Sequence, residues 1–173
     1  MNIRELKKHL AELTKKELIN EISFLFKMNS FSKDYLSSKF SSSIEHSILE
    51  KYKQQIRNEF YPQRGKPKLR LSIAKKAVSE FKKITKSQTD IADIMMFYVE
   101  NGVEFTCDYG DIDERFYNSM ESMFESTLKF IQIHNLKKDF NSRCKKIVGD
   151  TNGIGWGFHD QLDCLYDYYF PHS

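Results

Sequence analysis

The chain has 173 residues, a formal net charge of +3 and a hydrophobic content of 40%, which favour one globular domain over residues 1–173. Its fourteen phenylalanines exclude a disordered chain, because disordered proteins lack the apolar side chains to offset the entropy of ordering. No stretch approaches the ~20 apolar residues that span a bilayer, and the charged start Met1–Lys8 has no signal-peptide core, so we expect a cytoplasmic protein with no membrane partner.

Glycine and proline are scarce, with seven and three residues. A β-sandwich or barrel would need many more turn residues, whereas apolar residues recur here at intervals of three and four, which is typical of helices. The sequence therefore predicts an all-α fold of about seven or eight helices in αα-hairpins, arranged as a bundle or as a short right-handed array.

The first predicted helix runs from about Ile3 to Leu13. Thr14 begins the second, and Glu17 three residues later completes a capping box. A short segment over 33–40 and a serine cluster at 41–43 follow, and a longer helix is predicted over 44–60.

Pro62 and Pro67 exclude a regular helix between residues 61 and 70, because proline lacks an N–H and restricts the residue before it. The next helix is predicted over 72–84. The helix that opens at Thr89 or Asp90 is apolar on most sides, which places it near the centre of the fold. Gly102 within it marks either a close helix crossing or an early helix end. Three further helices are predicted over 111–134, 137–148 and 158–170.

Charge is distributed unevenly along the chain. Residues 51–83 contain eleven Lys or Arg and two acids, whereas residues 87–173 contain fifteen Asp or Glu and seven Lys or Arg. The basic block surrounds the segment Tyr61–Arg70, called the elbow below. Such a block on a non-helical bend indicates a binding surface, for which we select Arg57, Tyr61, Arg64, Lys66, Lys68, Arg70, Lys75 and Lys82.

Three interpretations of this surface are open. It could bind a protein partner, including a second copy of the chain through basic-to-acidic pairing. It could instead bind nucleic acid, with the cations on phosphates and Tyr61 stacked on a base. Alternatively, the acidic C-terminal half could neutralise the block within the same molecule.

A second, weaker candidate is a ligand or catalytic site near Trp156, His159 and Asp163. Alternating glycines at 153, 155 and 157 would allow close approach of a ligand to the backbone, and His159 and Asp163 lie one helical turn apart. The competing expectation is structural: Trp156, the only tryptophan, would be a buried packing anchor.

The sequence predicts no metal, no cofactor and no catalytic residue, so an enzyme is not the favoured interpretation. Glu100 and Glu104, like Glu121 and Glu125, are spaced for one helix face, but the Glu-x-x-His motif of helical di-iron sites does not occur. Three widely spaced cysteines form neither a zinc motif nor a CxxC pair.

Several short segments support a resemblance: Tyr61-Pro62, Arg64-Gly65, Ser72-Ile73-Ala74-Lys75-Lys76-Ala77, Arg4-Glu5-Leu6-Lys7-Lys8 and Phe116-Tyr117-Asn118-Ser119-Met120. With these the chain resembles a family of small helical bacterial proteins catalogued as a domain of unknown function. The resemblance implies a helical fold and a bacterial cytoplasmic origin, and it supplies no catalytic residue.

Overall fold

The helices account for most of the chain. A computed structural model describes residues 1–41 and 45–171, without the side chain of Glu45. Within these ranges there are nine α-helices and no strand: α1 Ile3–Glu12, α2 Lys15–Met28, α3 Ser30–Phe40, α4 Glu45–Phe60, α5 Leu71–Ile84, α6 Gln88–Tyr109, α7 Glu114–Ile133, α8 Lys137–Asp150 and α9 Phe158–Tyr169. The all-α prediction is confirmed. The count rises to nine because the short segment predicted over 33–40 is a full helix that begins at Ser30. Residues 42–44, where part of the serine cluster and the predicted start of α4 fall, lie outside the described residues.

Backbone contacts divide the chain into two compact units, Met1–Glu45 and His46–Ser173. In the first unit, α2 packs against α3. Thr14 caps α2 as predicted: its hydroxyl accepts from the Glu17 N–H at 3.3 Å, and the Glu17 carboxylate accepts from the Thr14 N–H at 2.7 Å. Neither α1 nor α2 contains a buried residue. That the whole chain is one domain stays a prediction.

In the second unit, α6 occupies the central position. It packs against α5, α7 and α8, while α7 and α8 both pack against α9. Twelve of its 22 residues are buried, as its apolar character on most sides predicts. The fully buried side chains of this unit include those of Ile56, Phe60, Tyr98, Met120, Phe124 and Phe158.

Gly102 marks a close helix crossing. A Cβ atom at this position would lie 2.0 Å from the Met120 Sδ on α7, a distance at which atoms overlap. Because α6 continues past Gly102 to Tyr109, the alternative expectation of an early helix end is wrong.

Candidate functional site

The elbow, residues 61–70, forms an open concavity of about 710 Å³ between the end of α4 and the start of α5. Its lining is polar, with four cationic side chains and three amides: Gln54, Asn58, Glu59, Pro62, Gln63, Arg64, Gly65, Lys66, Lys68 and Arg70. The structure thus brings together four of the eight residues selected from the sequence for a binding surface.

Glu59 fixes the shape of the elbow. Its main-chain carbonyl accepts from the N–H groups of Lys68 at 3.2 Å and Leu69 at 3.0 Å. Its carboxylate, only 5% exposed, accepts from the Arg70 N–H at 3.2 Å, Nε at 3.0 Å and Nη2 at 2.7 Å. One residue at the end of α4 therefore holds three consecutive residues at the start of α5.

The hydrogen bonds between Glu59 and Arg70 also determine the charge of Glu59. The side-chain hydrogen bond from Arg70 holds the pKa of Glu59 below its usual value, even though burial acts to raise it. Glu59 is therefore ionised at neutral pH, and it neutralises Arg70.

The remaining elbow cations differ from Arg70. Arg64, Lys66 and Lys68 are exposed, and none of them forms an ion pair within residues 1–41 and 45–171. On the α4 wall of the concavity, the Gln54 amide donates to Asn58 Oδ1 at 2.8 Å. The concavity therefore combines three cations that form no ion pair with an ordered amide wall; of the three, Lys68 is near enough to Glu59 for its charge to help lower the pKa of that carboxyl.

Arg57 and Tyr61 lie against α6 instead of lining the concavity. The Arg57 Nη1 donates to Asn101 Oδ1 at 3.1 Å and to Glu104 Oε2 at 3.2 Å, and the Tyr61 hydroxyl donates to Asp108 Oδ2 at 2.7 Å. Burial, followed by this hydrogen bond and the nearby carboxylates, raises the pKa of Tyr61 well above its usual value. The Tyr61 ring packs edge-on against Phe105 at 5.8 Å.

Lys75 and Lys82, also selected for the basic surface, lie on α5 beyond the elbow. Lys75 does not line the concavity. The Lys82 ammonium lies over the ring of Phe130 on α7, 5.6 Å from its centroid. Twelve residues separate Lys82 from Arg70, which corresponds to about 18 Å along a helix.

The second candidate site lies in the turn between α8 and α9. The Thr151 hydroxyl donates to the Val148 carbonyl at 2.7 Å and meets His159 Nδ1 at 3.0 Å. Because that hydroxyl has a single hydrogen, His159 Nδ1 is the donor in the second contact. Asp163 is exposed on α9. A ligand site at these residues stays a prediction.

Trp156 is not a buried packing anchor, because its side chain is 64% exposed. The backbone of Trp156 is left-handed, with φ of 64°, and Gly157 follows with φ of 71°. This turn directs the indole outward. Phe158, which follows Gly157, is fully buried, and its ring centroid lies 4.8 Å from that of Tyr117.

A second concavity, of about 490 Å³, lies between α6 and α8. Both of its cations are paired: Arg143 bonds Glu100 as well as Asp93, which lies outside the concavity, and Lys146 bonds Asp150. Burial, then the charges of Asp150 and Asp108, raises the pKa of the Cys107 thiol in this cleft. A protonated thiol is a poor nucleophile, so the elbow remains the better candidate.

Sequence reasoning missed Gln54, Asn58 and Glu59 as parts of the elbow site. Gln54 and Asn58 are four residues apart, which places them on one face of α4. Glu59 is one of only two acids among eleven cations in residues 51–83. A lone acid next to a proline-containing bend is a signal that could have identified the anchor.

In the ranges that the structure describes, every helix is too short or too polar to cross a lipid bilayer. Within the same ranges, no three His, Cys, Asp or Glu side chains are grouped as metal ligands are. Comparisons with the curated proteins and with the solved structures found no match. The model of a family of unknown function, DUF6155, matches residues 1–170, and the chain therefore belongs to that family.

Proposed function

We propose that this is a non-enzymatic interaction protein whose elbow binds an acidic segment of a protein partner. The observation that carries the proposal is the concavity in which Arg64, Lys66 and Lys68 are exposed and form no ion pair with a described residue. Charge-assisted hydrogen bonds from such groups favour carboxylates. The amides of Gln54 and Asn58 add donors and acceptors for a peptide backbone.

The fixed frame of the elbow supports the same proposal. Glu59 holds the last part of the elbow, Lys68 to Arg70, through both its carbonyl and its carboxylate. A preformed site loses less conformational entropy when it binds than a flexible one does. The elbow therefore suits a specific contact better than a disordered basic tail would.

Nucleic acid is the less favoured alternative. Base stacking on an aromatic ring supplies much of the affinity for single strands, but the only aromatic side chain of the elbow, Tyr61, is bonded to Asp108 and packed on Phe105. Within the concavity only Arg64, Lys66 and Lys68 are cations outside an ion pair with a described residue, and three cations make a weak electrostatic footprint for phosphates.

Fluorescence anisotropy with a labelled octaglutamate peptide at low salt tests the proposal. The triple variant Arg64→Ala/Lys66→Ala/Lys68→Ala should weaken peptide binding by about tenfold or more, equivalent to ~1.4 kcal/mol. The control Lys129→Ala/Lys138→Ala/Lys145→Ala removes the same charge from exposed positions on α7 and α8, and it should leave binding within about twofold.

Two results would overturn the proposal. Equal weakening by both triple variants would mean that net charge, and not the elbow, attracts the peptide. Tighter binding of an oligothymidylate or a short duplex than of octaglutamate at the same salt concentration would favour the nucleic-acid alternative.

A further inference from the structure

The surface next to the elbow is acidic. The stretch Asp108–Arg115, called the acidic turn below, carries four carboxylates and one cation. Asp108 accepts from the Tyr61 hydroxyl, Asp111 accepts from the Tyr117 hydroxyl at 3.2 Å, and Asp113 caps α7 by accepting from the Phe116 N–H at 2.8 Å. These donors are neutral groups, so they do not offset the negative charge of the acidic turn. Within residues 1–41 and 45–171 none of them forms an ion pair.

Two large aromatic side chains are exposed beside these acids. Tyr109 is 60% and Trp156 is 64% exposed. The centroids of the Trp156 and Tyr117 rings lie 6.5 Å apart. The backbone of the preceding residue, Gly155, is close to Asp111: a Cβ atom on Gly155 would lie 3.6 Å from Asp111 Oδ2. The indole therefore borders the acidic turn. The left-handed backbone that presents Trp156 is unfavourable for a residue with a side chain. Exposed Trp and Tyr are enriched at the centres of protein interfaces.

The acidic turn and the elbow share an edge. The Tyr61 hydroxyl bonds Asp108, and the Tyr61 and Tyr109 rings lie 6.4 Å apart. A surface with net positive charge thus adjoins a surface with net negative charge. A two-fold rotation about an axis through this edge brings the elbow of each copy onto the acidic turn of the other copy. The dimer therefore contains two identical contacts between opposite charges.

We propose that the acidic partner of the elbow is the acidic turn of a second copy of this chain, in a two-fold dimer with Trp156 and Tyr109 at its interface. This inference rests on the proposed function of the elbow and names its partner. Charge complementarity selects the second copy: the three elbow cations that form no ion pair with a described residue match the net charge of the acidic turn, four carboxylates against Arg115. Adjacency of the two surfaces makes a closed dimer the simplest assembly.

Sedimentation velocity on the full chain at low salt tests the dimer. We expect two subunits in the wild type, a shift to one subunit in high salt because the contacts are screened, and a shift to one subunit on adding octaglutamate, which competes for the elbow. Lys66→Glu/Lys68→Glu and Asp111→Lys/Glu114→Lys should each raise the dimer Kd by about tenfold or more. Circular dichroism identifies any variant that does not fold.

An equimolar mixture of the two charge-reversed variants gives the decisive measurement. In a two-fold dimer of one with the other, both contacts again join opposite charges, so the mixture should regain a mass of two subunits and no more. Trp156→Ala should weaken the wild-type dimer by roughly tenfold, whereas Tyr168→Ala, which removes an exposed aromatic elsewhere, should not.

The outcomes separate this inference from the proposed function. If the wild type binds octaglutamate but stays a monomer at high concentration and low salt, the second copy is not the partner and the proposed function stands. If the wild type neither binds the peptide nor dimerises, both fail. A dimer that survives in each charge-reversed variant alone, or a mixture that stays monomeric, also overturns the inference.

Discussion

Glu59 shows how much a single buried carboxylate contributes at the residue scale. It lies among cations, yet it is not simply a counter-charge, because its carbonyl and carboxylate together accept from three main-chain N–H groups and two guanidinium nitrogens of the following segment. Removing a partner from a buried, hydrogen-bonded charge usually costs more than the bond contributes. The position of Lys68 and Arg70 in the concavity therefore depends on a residue that need not touch the partner.

Glu59→Gln should destabilise the protein by roughly 1–3 kcal/mol at pH 7. The pKa of Glu59 is lower in the folded state than its usual value of 4.5. Its charge therefore stabilises the fold fully above about pH 4.5, and the contribution is lost as pH falls through the folded-state pKa. Urea unfolding at several pH values should show that the difference between wild type and variant shrinks in acid.

Glu80→Gln is the matched control for this prediction. Glu80 lies 3.6 Å from the exposed Lys76 in a pair within α5, and such pairs contribute about 0.5 kcal/mol or less. A Glu59→Gln effect that is no larger than this, or that does not change with pH, would contradict the role assigned to Glu59.

At the element scale, the crossing of α6 and α7 depends on the absence of a side chain at Gly102. Met120 fills the space that a Cβ would occupy, and its own side chain is fully buried. The two longest helices thus make a tight contact at a position where one of them has no side chain. Their contact positions the acidic turn, which is the connection between them.

Gly102→Ala should destabilise the fold by about 1–2 kcal/mol net, because overpacking costs 1–3 kcal/mol while alanine gains up to ~1 kcal/mol of helix propensity. Gly149→Ala, on α8 with no atom within 4 Å of the added Cβ, should instead be neutral or stabilising. Thermal unfolding distinguishes the two. The double variant Gly102→Ala/Met120→Ala should lose less stability than the sum of the losses in the two single variants, because the shortened side chain at position 120 makes room for the added Cβ. Stabilisation by Gly102→Ala alone would refute the overpacking argument.

At the scale of the whole molecule, the basic block is divided between two roles. Its part on α4 is neutralised by α6: Lys53 pairs with Asp93 at 2.6 Å and Arg57 with Glu104 at 3.2 Å. On the elbow, α6 neutralises no cation, and only Arg70 is paired, with Glu59 of α4. The acidic residues of α6 therefore neutralise these two cations of α4, whereas Arg64, Lys66 and Lys68 form no ion pair in the described part of the chain.

Arg143 joins this network from α8, bonding Glu100 at 2.7 and 2.8 Å and Asp93 at 2.6 Å. Burial alone would lower the pKa of Arg143, but the hydrogen bonds and charges of Glu100 and Asp93 outweigh it and raise that pKa.

Arg143→Gln should destabilise the fold by roughly 1–3 kcal/mol, since two carboxylates lose their shared partner. Lys145→Gln on the exposed face should change stability by less than about 0.5 kcal/mol; equal effects in urea unfolding would exclude a structural role for the network.

The sequence predicts the elements better than the directions of their side chains. The spacing of apolar residues predicts the helices, Thr14 and Glu17 predict a helix start, and Pro62 and Pro67 predict the elbow. The charge of Arg57 predicts that it belongs to the binding surface. In the structure, however, α4 is oriented about its axis so that the Arg57 side chain faces Glu104 on α6. Such a rotation is set by tertiary packing, which local spacing does not encode.

Trp156 illustrates a second limit. A large aromatic side chain favours burial by its size, but the left-handed backbone at Trp156 and Gly157 exposes it and buries Phe158. Single-residue hydrophobicity does not reveal which of two neighbouring aromatics enters the core, because the backbone conformation of the turn makes that choice.

The exposure of this side chain has an optical consequence. Since Trp156 is the only indole in the chain, all of the tryptophan fluorescence comes from one surface position bordering the acidic turn. Its emission in the free monomer should resemble that of an indole in water and be readily quenched by iodide or acrylamide. Docking at that surface should shift the emission to shorter wavelength and protect it from quenching, so the protein carries its own reporter of association without any added label.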